Sequence, residues 1–227
     1  MSRVLLEVCV ETVADAVAAE RGGADRLELC SALDLGGLTP TLGMYLAVRE
    51  AVRLPLLVML RPRPGGFVYT ADELEVMLRD QELFRPHHPD GFVFGPLLPD
   101  GRVDREATAR LWAGCGESES VFHRAFDETP VPDRSVDELV ELNVTRILTS
   151  GGAETAVIGA ERIARTVRAA AGRIQVLACG KVSAATASHV LTATGCDQLH
   201  GAFRVNGRTS EGAVAAARRV LDQRADV

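Results

Sequence analysis

The sequence predicts an α/β fold: one (βα)8 barrel of the TIM type, a single domain spanning residues 1–227. Three observations carry that reading. Short apolar runs alternate with longer helix-like segments from end to end, making eight strand–helix pairs. No composition break or long linker divides them. A weak internal echo also recurs at every second strand. GGADRLELCS, HPDGFVFG, NVTRILTSGG and TGCDQLHGA each set a turn residue and a polar residue just ahead of strands two, four, six and eight. That echo suits four (βα)2 units closing on themselves. A doubly wound open sheet reads similarly strand by strand and is the alternative.

The strands begin near Val4, Arg26, Leu56, Gly91, Ser120, Arg146, Ile174 and Gln198. The first, in MSRVLLEVCVE, carries an acid inside its apolar run and lacks a small-residue cleavage site, so it reads as a strand and not a signal peptide. Helices are predicted near 13–22, 41–52, 71–85, 104–113, 135–142, 155–171, 183–193 and 210–223. Thr39 before Pro40 reads as an N-cap followed by proline at the first helical position. Thr70-Ala-Asp-Glu73 and Ser135-Val-Asp-Glu138 read as capping boxes. The fourth helix is cut short by AGCGESES.

Composition narrows the function. With 47% hydrophobic residues the chain can fill a large core. A net charge of −6 without a basic stripe argues against nucleic-acid or anionic-membrane partners. No apolar run reaches the roughly 18 residues of a membrane span. The five cysteines are scattered and odd in number, which predicts reduced thiols in a cytoplasmic protein.

In a barrel wrapped by helices, a charged strand residue points inward or sits at a strand end. Parity puts Glu7, Cys9 and Glu11 on one face of strand one, and Glu28 and Cys30 on one face of strand two. Arg61 ends strand three with Arg63 just beyond; His123 lies near the end of strand five, followed by Arg124 and Asp127; His200 lies near the end of strand eight. Buried charges are costly alone, so these are expected to pair. Neighbouring strands lie about 4.8 Å apart, which lets Cys9 and Cys30 nearly touch, and soft thiolates suit Cu(I) or zinc. Buried packing thiols are the competing expectation. Cys115, Cys196 and His189 read as structural or superficial, and His87 and His88 as a solvated loop. The turns Ser150-Gly151-Gly152 and Cys179-Gly180-Lys181 offer backbone N–H groups to an anion, or are simply tight turns.

Taken together, LEVCVE, GGADRLELCSALDLGGLTP, MLRPRPGGFVY, GFVFGPLLPDGRVD, FHRAFDETP and RILTSGG resemble the CutC family, over about residues 4–205. The resemblance implies a (βα)8 barrel, a cytoplasmic location, a homo-oligomer and a part in copper homeostasis. It also implies Cu(I) ligation by the cysteines of the CVE-like and ELCS motifs, here Cys9 and Cys30. Three departures stand out. Gly66 replaces an acid after strand three, Ala178-Cys179-Gly180-Lys181 replaces a glycine run, and His200-Gly201-Ala202 replaces a His-x-Ser-Ala pattern.

Two functions follow as expectations, beside a third reading in which the barrel has lost its chemistry and survives as a scaffold. One is Cu(I) binding through Cys9 and Cys30. The other is an enzyme acting on a small phosphorylated or carboxylated metabolite at the C-terminal mouth. In that case Glu7, Glu28 and His123 serve as acid/base groups. Arg61, Arg63, Arg124, Asp127, Gly151, Gly152, Gly180, Lys181 and His200 then bind the substrate. In the loop SALDLGGLTP, the apolar residues Leu33, Leu35 and Leu38 need cover, from a subunit partner or from the barrel mouth itself.

Overall fold

The computed structural model describes residues 3–225. The apolar runs form eight parallel strands: β1 (Leu5–Val10), β2 (Arg26–Leu29), β3 (Leu56–Met59), β4 (Gly91–Phe94), β5 (Glu119–Phe122), β6 (Arg146–Thr149), β7 (Gln175–Ala178) and β8 (Gln198–Gly201). They close in sequence order, with β1 pairing β2 on one side and β8 on the other, so the open-sheet alternative is excluded. Helices α1 (Val13–Arg21), α2 (Leu42–Ala51), α3 (Ala71–Phe84), α4 (Arg105–Cys115), α5 (Pro132–Glu141), α6 (Ala160–Ala170), α7 (Ala184–Thr194) and α8 (Glu211–Ala225) follow the strands in turn. A small hairpin, β9 (Arg204–Val205) and β10 (Arg208–Thr209), lies between β8 and α8.

Helix starts differ from expectation in two places. α2 is capped by Thr41, which accepts from the N–H of Met44, and not by Thr39; Thr39 Oγ1 accepts from the N–H of Arg61 instead. α5 begins at Pro132, using the proline for its first turn. Ser135 therefore lies inside that helix, where its hydroxyl donates to Val131 O. The Thr70–Glu73 capping box is present on α3. α4 runs on to Cys115 before Gly116 turns the chain with φ +62°.

Alternation along each strand sorts side chains into an outer shell and an inner column. Leu6, Val8, Val10, Leu27, Leu29, Val58, Phe92, Phe94, Phe122 and Ile147 pack outward against the helices. Leu57, Met59, Val93, Val121, Leu148, Leu177, Cys30 and Cys179 form a separate inner cluster. In barrels of this type, alternate strands contribute alternate inner layers. Even strands open inward with Arg26, Gly91, Arg146 and Gln198; above them come Glu7, Leu57, Val121 and Leu177 from odd strands; then Glu28, Val93, Leu148 and His200; then Cys9, Met59, His123 and Cys179 near the mouth. The sequence echo at even strands is the trace of this layering. Inner positions on β3 to β7 above the floor are mostly aliphatic, while β8, β1 and β2 supply a polar sector.

Candidate functional site

The polar sector begins at the barrel floor. Arg146, 1% exposed, donates to both carboxylate oxygens of Glu119 (3.0 and 3.2 Å), to Gln175 Oε1 (2.9 Å) and to Gln198 Oε1 (3.0 Å). Arg26 donates to the same Gln198 oxygen at 3.1 Å and, through Nε, to Glu7 Oε2. The other Glu7 oxygen meets His200 Nδ1 at 2.7 Å. Register explains this convergence, because Glu7 stands opposite Arg26 on one neighbour and His200 on the other.

These contacts set the charges. Burial alone raises the Glu7 pKa, but Arg26, His200 and Arg146 reverse that and hold it well below the usual carboxylate range. Burial disfavours a charged His200, yet the charges of Cys9 and Glu28 and hydrogen bonds to Cys9 and Glu7 carry it well above the usual histidine value. Glu28 sits one layer higher, 3% exposed; burial, with repulsion from Glu7, pushes its pKa up. It accepts from the Cys30 thiol at 3.3 Å, and its second oxygen has no partner. Burial and the Glu28 charge push the Cys30 thiol well above its ordinary value.

Donor atoms of Glu7, Glu28 and His200 lie within 4.8 Å of one another, a spacing that fits a metal ion. The charge pattern fits a proton there better, since Glu7 is already neutralised by Arg26 and His200 attracts a proton. Soft-metal donors lie at the upper edge of the sector. Cys9 (7% exposed) lies beside His200, and Cys30 is one strand over and two residues beyond the Cys9 register partner, Glu28. A third inner thiol, Cys179, is buried in the same inner cluster as Cys30 and pushed up to about 12 by burial.

Arg61 does not reach the acids. Its guanidinium donates to Leu35 O (3.2 Å), Gly37 O (3.1 Å) and Gly65 O (2.6 Å), lashing the loops after β2 and β3 together. Arg63 turns away to Glu73 on α3 and to Gly66 O and Val68 O. His123 is buried against Phe67, ring centroids 4.9 Å apart; burial first, then Arg61, lowers its pKa to about 3. The turn after β6 is filled from within. The Asp127 carboxylate accepts from Thr149 Oγ1 (2.5 Å), Ser150 N (3.1 Å), Ser150 Oγ (2.9 Å) and Gly152 N (2.9 Å), with Arg124 alongside at 3.2 Å. Gly151 N donates to Thr149 Oγ1 (2.9 Å). Gly180 has φ +106°, and its carbonyl accepts from Ala156 N; Lys181 is exposed and pairs with Glu154. Within the loop after β2, Leu33 packs onto the inner cluster and Leu35 is 56% exposed.

A comparison with protein-family models matches the CutC family over residues 4–205. The chain belongs to the CutC family. A human relative named copper homeostasis protein cutC homolog is 42% identical over 200 residues, covering 88% of this chain and 73% of its own. A CutC family protein of Treponema denticola is 43% identical over 200 residues, covering 88% and 81%. The crystal structure of the putative copper homeostasis protein CutC from Streptococcus agalactiae superposes with a TM-score of 0.84 at 32% identity, covering 91% of this chain and all of that one. A thiamine phosphate pyrophosphorylase from Pyrococcus furiosus shares the fold alone, at 18% identity and a TM-score of 0.64. In this CutC-family barrel, Arg26, Arg146, Gln198 and Cys179 also belong to the inner column, beyond the inward residues expected from the sequence. Strand parity is the signal that finds them: Arg26, Arg146 and Gln198 are the first residues of their strands, and Cys179 lies one residue past the end of β7.

Proposed function

We propose that this CutC-family barrel binds Cu(I) through Cys9 and Cys30 at the C-terminal mouth, as its part in copper homeostasis. The carrying observation is that the two thiols are free, stand on adjacent strands, and sit in successive inner positions with no disulfide between them. Thiolates and imidazole suit Cu(I), and His200 stands next to Cys9 as a further donor once it gives up its proton. Because the Cys30 thiol is pushed up, binding displaces a proton and the affinity strengthens as pH rises. A competitive Cu(I) titration under anaerobic, reducing conditions tests this. Cys9→Ser and Cys30→Ser should each abolish tight binding, while Cys115→Ser and Cys196→Ser should not. Parent-like affinity in the double variant Cys9→Ser/Cys30→Ser refutes the assignment.

One observation favours a second reading, an enzyme acting on a small carboxylated or phosphorylated metabolite. Glu7 orients His200, and His200 contacts Cys9, an order that matches an orienting acid, a base and a nucleophile. Glu28, with its unpartnered oxygen, adds a proton-handling group beside them.

A further inference from the structure

Two buried donors at the mouth lack acceptors. Arg61 and His123 are 5% and 3% exposed. The terminal nitrogens of Arg61 donate to three carbonyls, and its Nε has no partner. His123 Nδ1 accepts from the N–H of Ala125 at 3.1 Å. A ring nitrogen that accepts carries no proton, so the proton sits on Nε2, which is also buried without a partner. The ring is therefore neutral, since a charged ring would carry a proton on Nδ1 as well and could not accept there.

Both groups face the same aromatic ring. Phe67 lies 4.9 Å from the His123 ring centre and 5.0 Å from Arg61 Cζ. The Tyr69 hydroxyl, which can accept as well as donate, stands beside the guanidinium; burial raises its pKa and the Arg61 charge offsets part of that. Buried polar atoms without partners are rare in native proteins, and two such donors against one ring point to an acceptor that arrives from outside. Arg61 and Phe67 line an open cleft of about 450 Å³ whose other walls include Arg124, Asp127, Glu128 and Glu154, a size suited to a small molecule.

Charge selects the ligand class. Arg61 is hydrogen-bonded to carbonyl oxygens, which leave its positive charge to be matched. Arg124 is committed to Asp127 and Ser150, and three carboxylates share the cleft walls. A dianion would be repelled there, whereas a monoanion can be balanced by one guanidinium. We propose that the cleft binds a small organic carboxylate, one oxygen of which accepts from Arg61 Nε–H and His123 Nε2–H. His123 is then a substrate-positioning donor and not a base. The inference rests on the second reading above only in taking the mouth as a metabolite site.

The test uses the metal-free full chain, isotope-labelled at histidine nitrogen, titrated with acetate, glycolate and inorganic phosphate at constant ionic strength. Acetate and glycolate should move the His123 Nε2–H resonance saturably, with phosphate binding more weakly. His123→Asn places an amide oxygen where Nδ1 was, so it can keep the Ala125 bond while lacking the second donor. It should bind glycolate about five- to ten-fold more weakly. A resonance that neither carboxylate moves means the donor is satisfied by water, and overturns the proposal. So does equal affinity in His123→Asn, or phosphate binding tighter than either carboxylate. Neither copper nor turnover enters this readout, so its failure leaves the thiol chemistry standing, and the reverse holds.

Discussion

Replacing Arg26 with methionine should destabilise the barrel in a pH-dependent way. The Arg26 guanidinium is one of two cationic groups touching the Glu7 carboxylate, and both residues are almost fully buried, at 4% and 1% exposure. Removing one member of a buried ion pair typically costs about 3–5 kcal/mol. Glu7 would keep His200 at 2.7 Å, and Gln198 would keep Arg146 at 3.0 Å, which places the loss near the low end, about 3 kcal/mol. For a chain of this size that is a fall in Tm of roughly 6–12 °C. The folded-state pKa of Glu7 is depressed from 4.5, so its contribution is present above that value and fades as pH falls through the folded pKa. Without Arg26 much of that contribution disappears, so the gap between variant and parent should be widest at neutral pH and narrow under acid. Urea unfolding at pH 7 and at about pH 3, well inside the window in which the contribution fades, followed by two spectroscopic probes, measures it. Adding Glu7→Gln should recover at least half of the loss at pH 7. A loss under about 1 kcal/mol, or one equal at both pH values, would contradict the assigned pairing.

Asp127→Ala should cost about 2–4 kcal/mol, because several N–H and O–H groups lose a charged acceptor. It should also create a phosphate site, so thermal melts at constant ionic strength should show phosphate raising the Tm of the variant more than that of the parent; equal shifts would show that the carboxylate was not holding the cradle. His123 supplies a separate acid-side effect. Its folded pKa is lowered from 6.5 to about 3, so the unfolded chain binds the extra proton first and stability falls as pH drops from 6.5 towards 3. The loss from this group reaches about 2–3 kcal/mol by pH 4.5, and His123→Asn should show a correspondingly flatter acid limb in urea midpoints measured from pH 7 to 4.5.

Most of the fold was legible because period-two burial on one sheet, wrapped by helices, leaves a strong pattern: eight apolar runs, each flanked by an amphipathic segment. Parity alone also placed Glu7, Cys9, Glu28 and Cys30 on inward faces, and burial agrees. The partners of the acids were harder to see. Arg26, Arg146 and Gln198 each open a strand, where a polar residue ordinarily reads as a solvated end; only closure of the barrel turns those ends into a covered floor. The Asp127 contacts span 22 to 25 residues of chain, and nothing local in FDETP announces them. Arg61 illustrates a third limit. Its position at the end of β3 was right for an inner charge, but which of several nearby carbonyls it meets depends on the course of two loops.

The polar sector straddles the place where the first and last strands meet. Glu7 and His200 are separated by 193 residues in sequence yet share one hydrogen bond. During synthesis, then, β1 emerges with its acid and thiol at the start, while the imidazole that completes the group is among the last parts of the sheet to leave the ribosome. A nascent chain holds Cys9 and Cys30 early but lacks the Glu7–His200 contact until ring closure. Long-range closure of this kind is slow relative to local helix formation. The finished constellation is therefore a certificate of complete folding: a truncated chain can have the thiols, but not their neighbour.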